Sequence, residues 1–144
     1  MEKDNIICRE YRPQDWPAVE ALWEMTGLGG AERGDTRKVV ERTLAMGGKM
    51  FVLEETGSQK IVGTSWVTFD GRRLHLHHFA IHPDYQGKKL SHPLLSETLA
   101  FARKNGSQIK LEVHRDNTRA INLYTRAGFA YLGDYDVYII RKYE

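Results

Sequence analysis

The chain predicts a single mixed α/β (α+β) domain spanning 1–144, on three observations. Its 144 residues are enough for one proper hydrophobic core. Strand-length apolar runs intersperse with segments whose apolar residues recur every three or four positions. Gly, Pro, Asn and Asp punctuate those segments at short intervals, without an internal repeat, low-complexity tract or interdomain linker.

Ile6 to Tyr11 reads as a first strand, broken by Pro13-Gln14-Asp15. Asp15 then caps a helix that carries Val19, Leu22 and Trp23 on one face. Thr26 to Gly34, with Gly27, Gly29, Gly30 and Gly34, is a loose connection. Asp35 or Thr36 caps a second helix with Val39, Val40, Thr43 and Leu44, and Gly47-Gly48 ends it. Met50 to Glu54 and Ile61 to Phe69 are strands joined by a hairpin-like turn. Asp70-Gly71 marks the next turn, and a central strand follows from Leu74 to Ile81. The helix after it runs to about Arg103 and repeats Leu90, Leu94, Leu95, Leu99 and Ala102 at helical spacing. Asn105-Gly106 turns the chain into a strand from Ile109 to His114. Asn117 or Thr118 caps the last helix, and Gly128 ends it. Phe129 to Leu132 and Val137 to Lys142 read as a closing hairpin around Gly133-Asp134.

Composition narrows the function classes. A net charge of +2 suits an anionic ligand but lacks the dense basic stripe of a nucleic-acid binder. No apolar run approaches the ~20 residues of a membrane span. The first residues are charged, without a signal-peptide apolar region, and the single Cys8 excludes an intramolecular disulfide. A cytoplasmic protein is expected. Cys8 lies in the apolar run Ile6-Ile7-Cys8 and reads as a buried structural thiol.

The most informative stretch is the passage from the central strand into the helix, Ala80-Ile81-His82-Pro83-Asp84-Tyr85-Gln86-Gly87-Lys88-Lys89-Leu90-Ser91. A strand, a short loop and a helix start present unpaired backbone N–H groups to an anion. Lys88 and Lys89 add two cations, so a phosphate-bearing ligand is expected.

His82 to Ser91 resembles motif A of the GNAT superfamily of acyl-CoA-dependent N-acyltransferases. Asn117-Thr118-Arg119-Ala120-Ile121-Asn122-Leu123-Tyr124-Thr125-Arg126-Ala127-Gly128-Phe129 resembles its motif B. Two halves in order, separated by one helix and one strand, are far more specific than either alone. Lys89 stands where the family has its first motif glycine, and Ser91 where it has glycine or alanine. Pro93 lies in the first helical turns, where its missing N–H is tolerated.

The resemblance implies a GNAT-like fold: a mixed, mostly antiparallel sheet splayed between its fourth and fifth strands and flanked by about four helices. It implies acetyl-CoA as co-substrate, with the amides of Gln86, Gly87, Lys88, Lys89, Leu90 and Ser91 on the pyrophosphate. The strand edge at Phe79, Ala80 and Ile81 would pair with pantetheine, and Asn117 would contact the pantetheine arm. Arg115 and Arg119 lie where they could reach phosphates. The acceptor would be an amine of a small molecule or of a protein or peptide, with the first two helices and their loop shaping its pocket. Homodimers are common in the family. The alternative is a non-catalytic GNAT-like module with a degenerate phosphate loop.

Amine acylation sets two proton problems. An alkylammonium with a pKa near 10.4 is neutral less than about 0.1% of the time at pH 7, so a base or water chain is useful. The departing thiolate needs a proton or a strong hydrogen bond. Tyr124 occupies the motif B tyrosine position, which places a hydroxyl near the thioester sulfur; as part of the apolar face Ala120, Leu123, Tyr124 and Ala127 it also suits a core. Glu112, opposed to Leu111 and Val113 by strand alternation, is the candidate base if partly desolvated, or a solvent-facing strand glutamate. His77, His78 or His114 could serve instead. The six histidines lack the spacing of a known ligand set, so no metal is expected, and His82 and His92 read as solvated surface positions. With the one cysteine remote from these motifs, direct amine attack without an acyl-enzyme is expected.

Overall fold

Two long strands, β2 (Lys49–Glu55) and β3 (Lys60–Phe69), form the spine of the sheet. The computed structural model describes residues 5–29 and 33–143 and builds the other elements onto these two. Met50 to Leu53 and Ile61 to Val67 are buried, which explains why both strands read as continuous apolar runs rather than alternating ones. β1 (Ile6–Glu10) pairs antiparallel with β2, and β3 pairs antiparallel with β4 (Arg73–Leu76) and β5 (Ala80–Ile81). The last strand, β6 (Gln108–Leu111), pairs parallel with β4, giving the order β1-β2-β3-β4-β6.

The predicted central strand is therefore two strands. Val67 faces Leu76 and Thr64 faces Ala80, so residues 77–79 oppose only 65 and 66 of β3. That one-residue excess is a bulge, which bends a strand and re-aims its side chains.

Helices α1 (Trp16–Met25) and α2 (Arg37–Ala45) cover one face. Their Trp16, Val19, Trp23 and Val40 pack on Met50, Val52 and Trp66. Trp23 stacks on Trp66 at 5.5 Å and meets Trp16 edge-on at 5.8 Å. Helix α3 (Ser91–Asn105) covers the other face, setting Leu94 on Phe51, Leu53 and Val62, and Leu95 and Ala102 on Val67, Leu74 and Leu76. Helix α4 (Thr118–Arg126) lays Leu123 and Tyr124 on the margin of this second core and has no fully buried residue. Four helices on a mostly antiparallel six-stranded sheet in one domain are the architecture expected.

Local chemistry departs from expectation in places. Asp15 precedes α1 but makes no side-chain cap bond; its carboxylate takes two bonds from Arg9, each 2.9 Å, and one from the Arg12 N–H at 2.7 Å. Burial pushes its pKa up, but these donors outweigh it and hold the carboxyl below the usual range. Gly48 is required by close packing, because a Cβ there would sit 2.5 Å from the Val67 carbonyl oxygen and 2.7 Å from that of Thr43. The connection expected over 26–34 falls partly outside the described residues.

The closing hairpin is not formed. Residues 130–143 contain no strand and are exposed apart from a half-exposed Gly133. An isolated two-stranded hairpin is marginal in water, and the apolar side chains of this segment are exposed.

Candidate active site

The loop after β5 keeps the shape of an anion cradle. His82 leads into a single 3-10 turn, Pro83–Tyr85. Gly87 and Lys89 then take left-handed φ values of 79° and 62°. No backbone carbonyl among the described residues accepts the N–H of Gly87, Lys88, Lys89 or Leu90. Lys89 thus adopts the backbone that glycine supplies most easily, at a cost of roughly 1–2 kcal/mol for a residue with a Cβ. The loop is tied at both sides: Gln86 Nε2 donates to the Ile81 carbonyl at 2.9 Å, and Tyr85 donates its hydroxyl to Glu55 at 2.9 Å. Arg119 Nη2 lies 4.0 Å from where a Gly87 Cβ would be. Arg119 thus stands beside a donor-rich loop that carries Lys88, whose Nζ lies over the Tyr85 ring at 5.4 Å, and Lys89. Ser91 opens α3, with Pro93 as its third residue, inside the turn where no donor is missed. His82, expected at the surface, is buried: its ring accepts the Asp84 N–H and meets Tyr85 edge-on. His92 is exposed.

The sheet opens where the bulge lies. Pairing between β4 and β6 ends at Leu76 and Leu111. Beyond it β5 pairs only with β3, so its far edge faces the gap. Phe79, Ala80 and Ile81 border this splay, and the Phe79 ring meets Tyr124 edge-on at 5.9 Å. Asn117 accepts the Ala120 N–H through Oδ1 at 3.2 Å, which starts α4 and sets its Tyr124 at the splay. Burial pushes the Tyr124 hydroxyl up to about 12, so it is a protonated donor at neutral pH.

A side chain on the bulge makes the most pointed arrangement. His78 Nε2 lies 2.6 Å from Asp35 Oδ2, in the connection between α1 and α2. The His78 ring is held edge-on by Trp23 at 4.6 Å and by Trp66 at 5.4 Å. Its backbone is fixed too: Trp23 Nε1 donates to Thr64 Oγ1 at 2.9 Å, and that hydroxyl donates to the His78 carbonyl at 3.0 Å. Because an ionised carboxylate can only accept, Nε2 is the donor in this contact. Next to the pair opens a cleft of about 280 Å³ lined by Trp16, Glu20, Trp23, Asp35, Thr36 and Arg37. Thr36, not Asp35, caps α2 by accepting the Val39 N–H, which frees Asp35 for His78.

The other candidate bases lie differently. Glu112 follows the end of β6 and is exposed, so the partial desolvation expected of it is absent. His114 is exposed and accepts the Asp116 N–H. His77 bonds Thr68 at 2.7 Å and stacks on His75 at 4.4 Å; burial first, then the neighbouring His75 and His78, push it down to about 4. Cys8 lies on β1, where burial and then Glu97 push its thiol up to about 11, away from thiolate reactivity. Among the described residues no three His, Cys, Asp or Glu side chains converge as a metal site, and no helix is long and apolar enough to cross a membrane.

The sequence singled out the loop, Tyr124, Asn117 and, as base, Glu112, with His78 only one of three histidine substitutes; it missed the pairing of His78 with Asp35 and the cleft beside it. Those contacts join positions 43 residues apart, and nothing local signals them.

Comparison with known proteins gives concordant findings. The sequence profile of the acetyltransferase (GNAT) family matches residues 16–129. A protein described as an acetyltransferase in Pectobacterium atrosepticum is 31% identical over 120 residues, covering 82% of this chain and 83% of that protein. Among solved structures, a GNAT-family acetyltransferase of Staphylococcus aureus superposes with a TM-score of 0.78 at 18% identity, covering 92% of this chain and 89% of that one. AAC(6')-Iy in complex with a CoA-containing bisubstrate analog superposes with a TM-score of 0.74 at 11% identity, covering 95% and 99%.

Proposed function

The chain belongs to the GNAT acetyltransferase family, and on that premise we propose that it N-acetylates a small cationic amine, with His78 as proton acceptor. The observation that carries this reading is the 2.6 Å His78–Asp35 contact beside the cleft of Trp16, Trp23 and Glu20. Glu20 and Asp35 beside the indole of Trp16 favour an ammonium, with Arg37 the one cation of the lining. A cleft of about 280 Å³ suits a compact amine better than a folded protein surface.

Bound acetyl-CoA supplies the acetyl group as a thioester, the donor common to this family. On the protein's side, the free amides of Gly87 to Leu90 with Lys88, Lys89 and Arg119 fit its phosphates, and the open edge of β5 fits its pantetheine. His78 removes the proton that makes the amine unreactive, and Asp35 holds the ring and stabilises the imidazolium that results. Tyr124 gives a hydrogen bond to the departing sulfur and keeps its own proton, as a hydroxyl raised to about 12 should. Glu112 remains as a second-rank base that would act through water.

Thiol release from acetyl-CoA across a panel of small cationic amines tests the reading. His78→Gln is expected to lower kcat/KM by about 10² to 10⁴ with acetyl-CoA binding unchanged, whereas Glu112→Gln should cost less than about tenfold. The reverse ranking would move the base to Glu112. Tight acetyl-CoA binding with no amine-dependent thiol release would instead favour the non-catalytic module.

A further inference from the structure

On the sheet face away from α3, a polar patch extends past the region that α1 and α2 cover. Leu74 and Leu76 of β4 face the α3 core, so Arg73 and His75 face the other side by strand alternation. The register carries that side across three strands. His75 stands between Thr68 of β3 and Lys110 of β6, and Arg73 stands beside Gln108. The core beneath α1 and α2 takes in Trp66 and Ala80 but, among the described residues, none of β4 or β6.

A cavity of about 210 Å³ opens on this patch, with Arg72, Arg73 and Lys110 in its lining. Among the described residues none of these three cations enters an ion pair; Arg73 Nε donates instead to a neutral acceptor, Gln108 Oε1, at 2.9 Å. The one carboxylate of the lining, Asp70, closes the turn before β4: its Oδ1 accepts the N–H groups of Arg72 and Arg73 at 2.8 and 2.7 Å. The inner wall is made by His75 and His77, stacked at 4.4 Å with ring planes 9° apart, and His77 Nε2 lies 2.7 Å from Thr68 Oγ1. Burial is the main cause that holds both imidazoles below their ordinary range, so at neutral pH they contribute polar rings rather than charge. Glu112 and Asp70 oppose that shift at His75 and Lys110 adds to it; at His77, Asp35 opposes it and His75 and His78 add to it.

We propose that this cavity binds a tetrahedral oxyanion of the phosphate or sulfate type, held by Arg72, Arg73 and Lys110 over a floor of Thr68, His75 and His77. Charge and size both point there. Like charges gathered on neighbouring strands repel one another, and an anion between them turns that repulsion into attraction. Guanidinium forks match the oxygens of a phosphate in two-point contacts, and a lysine adds a mobile point charge. At about 210 Å³ the cavity falls short of the ~300–1,000 Å³ that encloses a whole small molecule, so it suits one charged group. Its lining shares no residue with the loop at 86–91 or with the cleft beside His78, and the inference stands whether or not His78 is the base.

The test titrates the full chain, saturated with acetyl-CoA, with sodium sulfate at constant ionic strength, sodium chloride making up the balance. Sulfate keeps its charge through the titration range of histidine, and the ring resonances of His75 and His77 report on this cavity alone. Both should shift together and saturate at millimolar sulfate, and the His75 pKa should rise, because a bound anion favours the imidazolium. Arg73→Gln/Lys110→Gln should weaken sulfate about tenfold or more and leave acetyl-CoA affinity within about twofold of wild type. Should that variant not fold, Arg72→Gln on the exposed turn is expected to weaken sulfate about threefold. Methyl phosphate identifies the source of the anion: affinity equal to that of sulfate assigns the site to a group carried on an ester, and exclusion assigns it to the free ion. Shifts that stay linear with sulfate, that chloride reproduces, or that persist undiminished in the variants overturn the proposal.

Discussion

Around Trp23, on the side of the sheet that carries α1 and α2, the indole is 1% exposed, stacks on Trp66 and donates to Thr64, which in turn donates to the His78 carbonyl. Around Leu123, on the side that carries α4 and β6, the apolar side chains stay half-covered and the sheet edge is open. The candidate site straddles the two regions. The proposed proton acceptor, His78, hangs from the densely packed region, and the proposed thiolate-side donor, Tyr124, from the half-covered one. A base must keep its ring oriented through each cycle, which a dense aromatic cage with a carboxylate behind it provides.

The contrast should show first in stability. Trp23→Ala deletes a fully buried indole and its bond to Thr64, and about 3–5 kcal/mol of unfolding free energy should be lost in urea melts. Leu123→Ala removes a partly covered side chain and should cost about 1 kcal/mol. Equal losses would mean that α4 is as well packed as α1, and the comparison would fail.

Acid should act through the same sheet. Folded, His77 titrates at about 4 because burial and its histidine neighbours disfavour the cation; unfolded, it returns to about 6.5. The unfolded chain therefore binds more protons between these values. The contribution, on the order of 3 kcal/mol, is present in full above pH 6.5 and disappears as pH falls toward 4. His77→Gln keeps a partner for Thr68 and should flatten the pH dependence of stability across that window. An unchanged slope would assign it to another group.

How far the sequence could be read follows the same division. Strands β2 and β3, the helices and the loop at 86–91 were legible because local periodicity and turn chemistry determine them. Asp35 and Thr36 both suit the cap of α2 by residue type; Thr36 takes it, and only the fold brings Asp35 to His78. The bulge at residues 77–79 escaped notice, since Leu74 to Ile81 has the apolar content of one strand and the extra residue is defined only against β3. Val137 to Lys142 shows the limit in the other direction. Its β-branched and aromatic residues do have strand character, but propensity cannot supply a partner strand, and no strand is assigned there among the described residues.

Tyr124 sharpens the comparison at the level of activity. Tyr124→Phe keeps the ring contacts with Phe79 and Phe129 and deletes one hydroxyl. A hydrogen bond to a charged sulfur is worth about 1.5–3 kcal/mol, so kcat should fall roughly ten- to a hundredfold, with acetyl-CoA affinity and melting temperature near wild type. A donor with a better thiol leaving group should be less affected. If stability falls and kcat does not, the hydroxyl belongs to packing alone.

The smallest expected effect concerns Lys89. Its φ of 62° costs roughly 1–2 kcal/mol that glycine would not incur, whereas glycine gives back about 0.5–1 kcal/mol through the freedom of the unfolded chain. Lys89→Gly should therefore raise stability by at most about 1.5 kcal/mol. Affinity should move the other way. The substitution keeps the backbone cradle and removes one exposed cation beside Lys88 and Arg119, a loss of about 0.2–1 kcal/mol that salt should diminish. Titrating acetyl-CoA into both proteins at low and high ionic strength separates the two contributions. A gap in affinity that closes with salt identifies Lys89 as a phosphate-side charge retained at the expense of backbone strain. Tighter binding by the glycine variant at both salts would show instead that the lysine side chain obstructs the cradle.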